Sequence, residues 1–450
     1  MNSTKSSYNK QDYNTLYIEF TRSELFSSDY FNYCCSNLIS FYQNNQFNEF
    51  VNCIQQLIIC TNKSNIEYNL AVDILAKHQI LEFLISTLEK SFNEFSKDIS
   101  ILLLQIMKFP PEYRYDLIND EFLIDLISIL IIPNTDVQLD YVVFIIQSIQ
   151  RALCCPKFST ECISNAINHI IDYFNKCIEF PIVINELFNV LASICVIQIN
   201  HINIEFFELV IDRCSQCCNI IDAYSGIFYA LASVLSQEQG LFTLIVEKGI
   251  IQSIFSHNRE IDDAELSFLE IVFQCDEEII INNLIPHLNW DLIRSSILEP
   301  KTTSRTSCLI KKIIKIFPDS ATFLESHGIF SALAEMARNS DFMTSKKCIS
   351  AIQAASNCFS IDVIISLVQK GFILSLGSVM EMSDNPEKYI PLLTRILYFL
   401  NNSLGPDAVI AINEFDDAQI EDILMEMEDD ISEIAEMAEN LRKYRDSQTL

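Results

Sequence analysis

A glycine set between two apolar bursts recurs along this chain. It appears as "LIVEKGIIQSI" around Gly249, "FLESHGIFSAL" around Gly328 and "SLVQKGFILSL" around Gly371. The 450 residues include only seven glycines, so three in one local context mark a repeated unit. Inside a helix, glycine costs about 1 kcal/mol relative to alanine. Between two helices it is useful, because it takes the left-handed conformation that ends one helix and lets the next begin. Each of the three is read as such a junction.

The intervals set the size of the unit. Gly328 and Gly371 are 43 residues apart, and Gly249 and Gly328 are 79 apart. Steps of about 42 residues back from Gly249 fall at Phe206, Ser164, Glu121, Gln79 and Asn37, and forward steps fall near Asn289 and Glu414. After Gln79, Glu121 and Phe206 an apolar residue again stands five positions on. Units of about 40 residues fill the chain, roughly ten of them, which is the period of an armadillo- or HEAT-type helical solenoid. Composition agrees: 50% of the residues are apolar, with little glycine or proline. Helical periodicity recurs, as in Ile349, Ile352 and Ala355. The fold class expected is all-α, a right-handed armadillo-type solenoid of about ten repeats. Residues 1–20 read as a polar disordered tail, 21–415 as the repeats and 416–450 as acidic capping helices.

Several functions are excluded by what the sequence lacks. The N-terminus has no apolar signal region. The longest apolar run, "FLIDLISILII", is too short for a bilayer and contains Asp125, so no membrane partner is expected. Sixteen cysteines without a signal read as reduced thiols. Cys214, Cys217 and Cys218, with His201 upstream, have helical spacing but no second ligand pair, so buried thiols are expected there and no metal. The pairs Cys34/Cys35 and Cys154/Cys155 read the same way. The six histidines are scattered, and no phosphate loop, nucleophile elbow or zinc-protease pattern occurs. No enzyme activity and no cofactor are expected.

The net charge is −30, from 60 acids and 30 bases. That argues against nucleic acid and favours protein or peptide partners with basic surfaces. Twelve of the acids lie between Glu414 and Glu439 without an intervening Lys or Arg. Ile420, Leu424, Met427, Ile431, Ile434, Ala438 and Leu441 form a heptad seam there. Asp430 with Glu433 three residues later forms a capping box, and two short helices broken near 428–430 are preferred over one long one. Glu426, Glu428, Asp429, Glu433 and Glu436 on the outer face are candidate docking residues for a basic partner or an export receptor.

The stretch "DFMTSKKCISAIQAASNCFSIDVIISLVQKGFILSLGSVM", Asp341 to Met380, resembles the eighth and ninth armadillo repeats of importin α, the nuclear import adaptor. Asp341, Phe342, Thr344, Lys346, Ile364, Leu367, Val368, Gly371, Ile373 and Leu376 carry the likeness. Ile420, Glu421, Ile431 and Ala435 match that family's closing repeat. The likeness is specific over residues 320–440; the first 300 are similar only in repeat length and apolar pattern.

That family holds basic localisation signals with a ladder of Trp and Asn side chains, four residues apart, on successive inner helices. In the best-aligned unit the resemblance places this pair at Ser350 and Ala354. The same offset gives Ile101/Gln105, Val143/Gln147 and Glu186/Val190 in the second to fourth repeats, and Ile271/Cys275 and Lys311/Lys315 in the sixth and seventh. None is a Trp–Asn pair, and the single tryptophan, Trp290, falls at a repeat junction. Lys311 and Lys315 repel lysine-rich peptides and favour acidic ones. The family's basic segment that recruits importin β has no counterpart before Glu24, where only Lys5, Lys10 and Arg22 occur. The resemblance implies a non-enzymatic protein-binding adaptor with an altered cargo groove, cytoplasmic and/or nuclear, in nuclear transport, with an importin-β-family receptor as a candidate partner. The competing expectation is a cytoplasmic armadillo scaffold with no transport role.

Overall fold

The computed structural model describes residues 27–62, 66–90, 95–257, 259–425 and 432–448; the expected tail 1–20 lies outside them. Contacts divide the chain into two compact units, Met1–Glu238 and Gln239–Leu450. Both are all-α, and no strand occurs among the described residues.

The first unit contains α1 (Ser28–Gln43), α2 (Phe47–Thr61), α3 (Tyr68–Lys77), α4 (Ile80–Lys90), α5 (Ser96–Met107) and α6 (Pro111–Arg114). It continues with α7 (Asp120–Ser128), α8 (Asp136–Leu153), α9 (Thr160–Lys176), α10 (Pro181–Ile197), α11 (Ile204–Cys217) and α12 (Tyr224–Gln237). The second unit begins with α13 (Phe242–Glu247), α14 (Ile250–Phe255), α15 (Asp263–Val272), α16 (Glu277–Asn283) and α17 (Trp290–Leu298). Then come α18 (Thr303–Ile316), α19 (Ala321–Ser326), α20 (Ile329–Asn339), α21 (Phe342–Ala354) and α22 (Ile361–Gln369). It closes with α23 (Phe372–Glu381), α24 (Ile390–Asn402), α25 (Pro406–Asp417), α26 (Ile420–Met425) and α27 (Ser432–Gln448).

Local sequence explains where these helices start. Asn119, Thr135, Ser159 and Asn203 each accept a backbone N–H with the side chain at a helix N-terminus, and Asp262, Asp341 and Ser360 do so in the second unit. Pro181 and Pro406 stand at the first helical position, where a missing N–H costs nothing. The helices then stack in series. In the first unit α2, α5, α8, α10 and α12 pack each on the next, and in the second α15, α18 and α21 do the same. A second row, α17, α20, α23 and α25, backs the latter. No single helix can bury its apolar stripe alone; the neighbouring repeat covers it.

The recurring glycines sit where the pattern requires. Gly249, Gly328 and Gly371 have φ of 70°, 68° and 77° and immediately precede α14, α20 and α23. Gln79, reached by counting back, is also left-handed, with φ 51°. The counting drifts at both ends: Asn37 lies inside α1 and Glu414 inside α25, whereas the left-handed turns are at Asn45 and Gln419. Trp290 opens α17, is 6% exposed, and packs edge-on against Phe323 with centroids 5.3 Å apart. It is a core residue.

Long-range polar ties join successive repeats. Arg114, 2% exposed, donates from Nη1 to the carbonyl of Met107 at the end of α5 and, at 2.9 Å, to that of Arg151 in the last turn of α8. Gln198, fully buried, donates to the carbonyls of Leu153 and Cys155 at 2.8 and 2.9 Å. The Met107 and Leu153 carbonyls are ones that a helix end leaves without a helical partner, and Arg114 and Gln198 supply one to each. At the C-terminus, α27 buries Ile434, Met437, Ala438 and Leu441 and packs on α24 and α25. Arg442 bonds Asp416 at 2.8 Å and Glu421 at 2.6 Å, and Arg445 bonds Asp416 at 2.8 Å. The expected break at 428–430 and its capping residue Asp430 lie outside the described residues.

Candidate functional site

The stacked inner helices leave one face of each row open. In the first unit this face is a groove of about 400 Å³ between α8, α10 and α12. Gln150 comes from α8; Asn189, Ala192, Ser193 and Val196 come from α10; Tyr229 and Ser233 come from α12. α10 is apolar along nearly its whole length because it is flanked on both sides, by α8 and by α12. Apart from Asn185, which turns to α12, its polar residues Glu186, Asn189 and Ser193 mark the open face. Gln150 donates to the carbonyl of Asn189 (3.4 Å), and Asn189 donates to the Glu186 carboxylate (3.4 Å). Ser193 Oγ donates to the same Asn189 carbonyl at 3.0 Å, so two amides, a carboxylate and a hydroxyl are tied together there. Beside them Val196 is 47% and Tyr229 39% exposed. An apolar ring and an isopropyl group next to fixed amides suit an extended peptide, whose side chains need apolar contact and whose backbone needs partners.

The ladder positions fall unevenly on this geometry. Ile101 and Gln105 on α5, Val143 and Gln147 on α8, and Glu186 on α10 are all half-exposed. Val190 needs correcting: it is 1% exposed and belongs to the core. Four residues on from Glu186 the helix has turned past the open face toward its neighbours, and Asn189 occupies the groove position instead. Ile271, next to last in α15, is half-exposed, while Cys275 lies beyond the end of that helix. The residues missing from the ladder are Tyr229 and Ser233. A step of 43 residues from Glu186 leads to Tyr229, so the period itself carried the signal.

In the second unit Lys311 and Lys315 share a face of α18, and Ser350 and Ala354 are half-exposed on α21. The structure brings two of these together: Lys311 Nζ donates to Ser350 Oγ at 2.6 Å. Burial first, then the charges of Lys315 and Lys388, lowers the Lys311 pKa. Lys388 comes from the turn before α24, whose carbonyl at that residue accepts from Gln353. Among the C-terminal acids, Glu433 and Glu436 are exposed on α27. Glu426, Glu428 and Asp429 lie outside the described residues.

The cysteine cluster considered for metal is packed inside. Cys214 and Cys217 have no exposed surface and Cys218 is 8% exposed; burial pushes the Cys217 thiol up to about 11. No helix among the described residues is long and apolar enough to cross a membrane.

Fold and groove together define an all-α helical-repeat protein. No family model matches the chain, and no curated protein matches it. Among solved structures, an engineered protein from a structural-genomics consortium aligns with a TM-score of 0.55 at 14% identity, covering 92% of this chain and 99% of its own. Kap121p, solved bound to RanGTP, aligns with a TM-score of 0.51 at 12% identity over 91% of this chain. This chain spans 40% of the Kap121p chain. At these identities the likeness is one of fold.

Proposed function

We propose that this protein is a non-enzymatic binding scaffold that receives an extended segment of a partner protein in the groove between α8, α10 and α12. The observation that carries this reading is the exposure of Tyr229 and Val196 beside the bonded Gln150, Asn189 and Glu186. Apolar surface left open next to fixed polar groups marks an interaction site. The finer reading is an armadillo adaptor in nuclear protein transport. It is supported by the importin-α resemblance over residues 320–440 and by the fold shared with Kap121p. A cytoplasmic scaffold is the second reading, favoured by the absence of any Trp–Asn pair at the ladder positions.

The test is affinity purification of the full chain beside a Tyr229→Ala, Val196→Ser variant. The expected result is a partner set lost in the variant at unchanged melting temperature. Partners retained in full by the variant would overturn the groove assignment. An importin-β-family receptor among the lost partners, with accumulation at the nuclear envelope, favours transport. Exclusive cytoplasmic location without such a receptor favours the scaffold.

A further inference from the structure

We propose that the second unit carries a separate subsite for acidic peptide segments, built by Lys311, Lys315 and Lys388 between α18, α21 and the turn Pro386–Tyr389. The inference rests on the reading of the chain as a peptide-binding scaffold and names the chemistry of one partner.

The chain has twice as many acids as bases, so three clustered lysines are against its average. None of their ammonium groups is paired with a carboxylate among the described residues, whereas Arg259, Arg305, Lys370 and Arg442 all are. Two of the three are held by something other than an acid. Lys311 is fixed by Ser350 Oγ at 2.6 Å. Lys388 lies over the Tyr389 ring, 4.7 Å from its centroid, and its backbone is tied to α21 by Gln353. Lys315 stands exposed one turn beyond Lys311. Three like charges from two separate elements repel one another, and no carboxylate among the described residues pairs with any of them; an anionic partner relieves this.

Spacing points to a peptide. Positions four apart on a helix are separated by about 6 Å along its axis. Alternate residues of an extended chain lie about 6.6 Å apart on one side. Carboxylates at every second position therefore meet Lys311 and Lys315 in register, with Ser350 and Gln353 alongside for the backbone.

The test uses the full-length protein and fluorescence anisotropy at physiological salt. The probes are a labelled twelve-residue peptide with glutamate at every second position and its glutamine analogue. The glutamate peptide should bind at least tenfold more tightly than the analogue, and raising the salt should weaken it. Exposed charge pairs are each worth a few-fold, so Lys315→Gln and Lys388→Gln should each weaken binding about threefold. The triple variant with Lys311→Gln should weaken it at least tenfold, and a Lys97→Gln control should leave it unchanged. Equal affinity for the two peptides would overturn the proposal, as would binding indifferent to the three lysines. A single-stranded oligonucleotide that binds more tightly at the same lysines would overturn it in favour of phosphate. Tyr229-dependent capture is read in the other unit, so failure here leaves the scaffold reading standing.

Discussion

The side-chain oxygen of Asn185 on α10 accepts the backbone N–H of Gly226 in the first turn of α12, at 2.7 Å. α12 has no capping side chain of its own, since Ala223 precedes it. A residue of the preceding repeat therefore caps this helix. The approach leaves no room for a side chain: a Cβ on Gly226 would stand 2.3 Å from the Asn185 carbonyl oxygen and 2.9 Å from Phe188 Cβ. Gly226→Ala should destabilise by about 1–3 kcal/mol through overpacking, and Asn185→Leu by about 1 kcal/mol through the lost cap. Urea denaturation of both variants checks this. An unchanged midpoint for Gly226→Ala would mean that the two helices are not so close.

The left-handed glycines give a second comparison. Alanine in that conformation costs about 1–2 kcal/mol. Gly249 has almost open surroundings, with only Gln252 at 3.9 Å, while at Gly371 the Arg338 guanidinium lies 2.8 Å from a built Cβ. The guanidinium is the end of a flexible side chain and can swing away. Gly249→Ala and Gly371→Ala should therefore cost similar amounts, as thermal melts at one pH would show. A cost at Gly371 several kcal/mol larger would show that Arg338 is locked in place.

Arg114 makes a more severe prediction. It is 2% exposed, and its two accepting carbonyls lie on different helices. Burial lowers its pKa, but the helix-end carbonyls solvate the charge. Replacing it by leucine leaves the Met107 carbonyl unsatisfied, at about 1–3 kcal/mol, leaves the Arg151 carbonyl only the Cys154 N–H at 3.3 Å, and empties the space the long side chain filled. Arg114→Leu should lose several kcal/mol, measured as a drop in denaturation midpoint; a loss under about 1 kcal/mol would contradict this account.

Glu265 predicts a pH dependence. Burial outweighs the Arg259 guanidinium at 2.8 Å and pushes the carboxyl up to about 7. A carboxyl whose pKa is higher in the folded than in the unfolded state binds its proton more tightly when folded. Its contribution is full below the unfolded value of about 4.3 and is lost as pH rises through about 7. Glu265→Gln should flatten the decline in melting temperature between pH 5 and 8. Identical slopes for variant and parent would refute it.

The sequence made the junctions legible where glycine occupies them, because a left-handed turn filled by glycine leaves a compositional mark. Asn45 and Gln419 adopt the same conformation without that mark, and the counting slid past both. The ladder was legible as a period but not as a rotation. Val190 and Asn189 are adjacent, and only the packing of α10 between two neighbours decides which faces out. The cap from Asn185 to Gly226 was not legible, since its two residues are 41 apart and neither belongs to a local motif. The convergence of Lys388 on Lys311 and Lys315 was hidden for the same reason.

The ties between repeats also bear on how such a chain finds its structure. Lys157 reaches Tyr115 across 42 residues, Gln198 reaches Leu153 across 45, Arg305 reaches Glu270 across 35 and Lys347 reaches Ser304 across 43. In all four of these ties the separation stays near one repeat. Loop-closure entropy grows only with the length of the loop being closed, so adding repeats adds steps of the same difficulty. The chain searches conformations over a window of some forty residues at a time, and folding can start at any well-packed pair and spread to its neighbours.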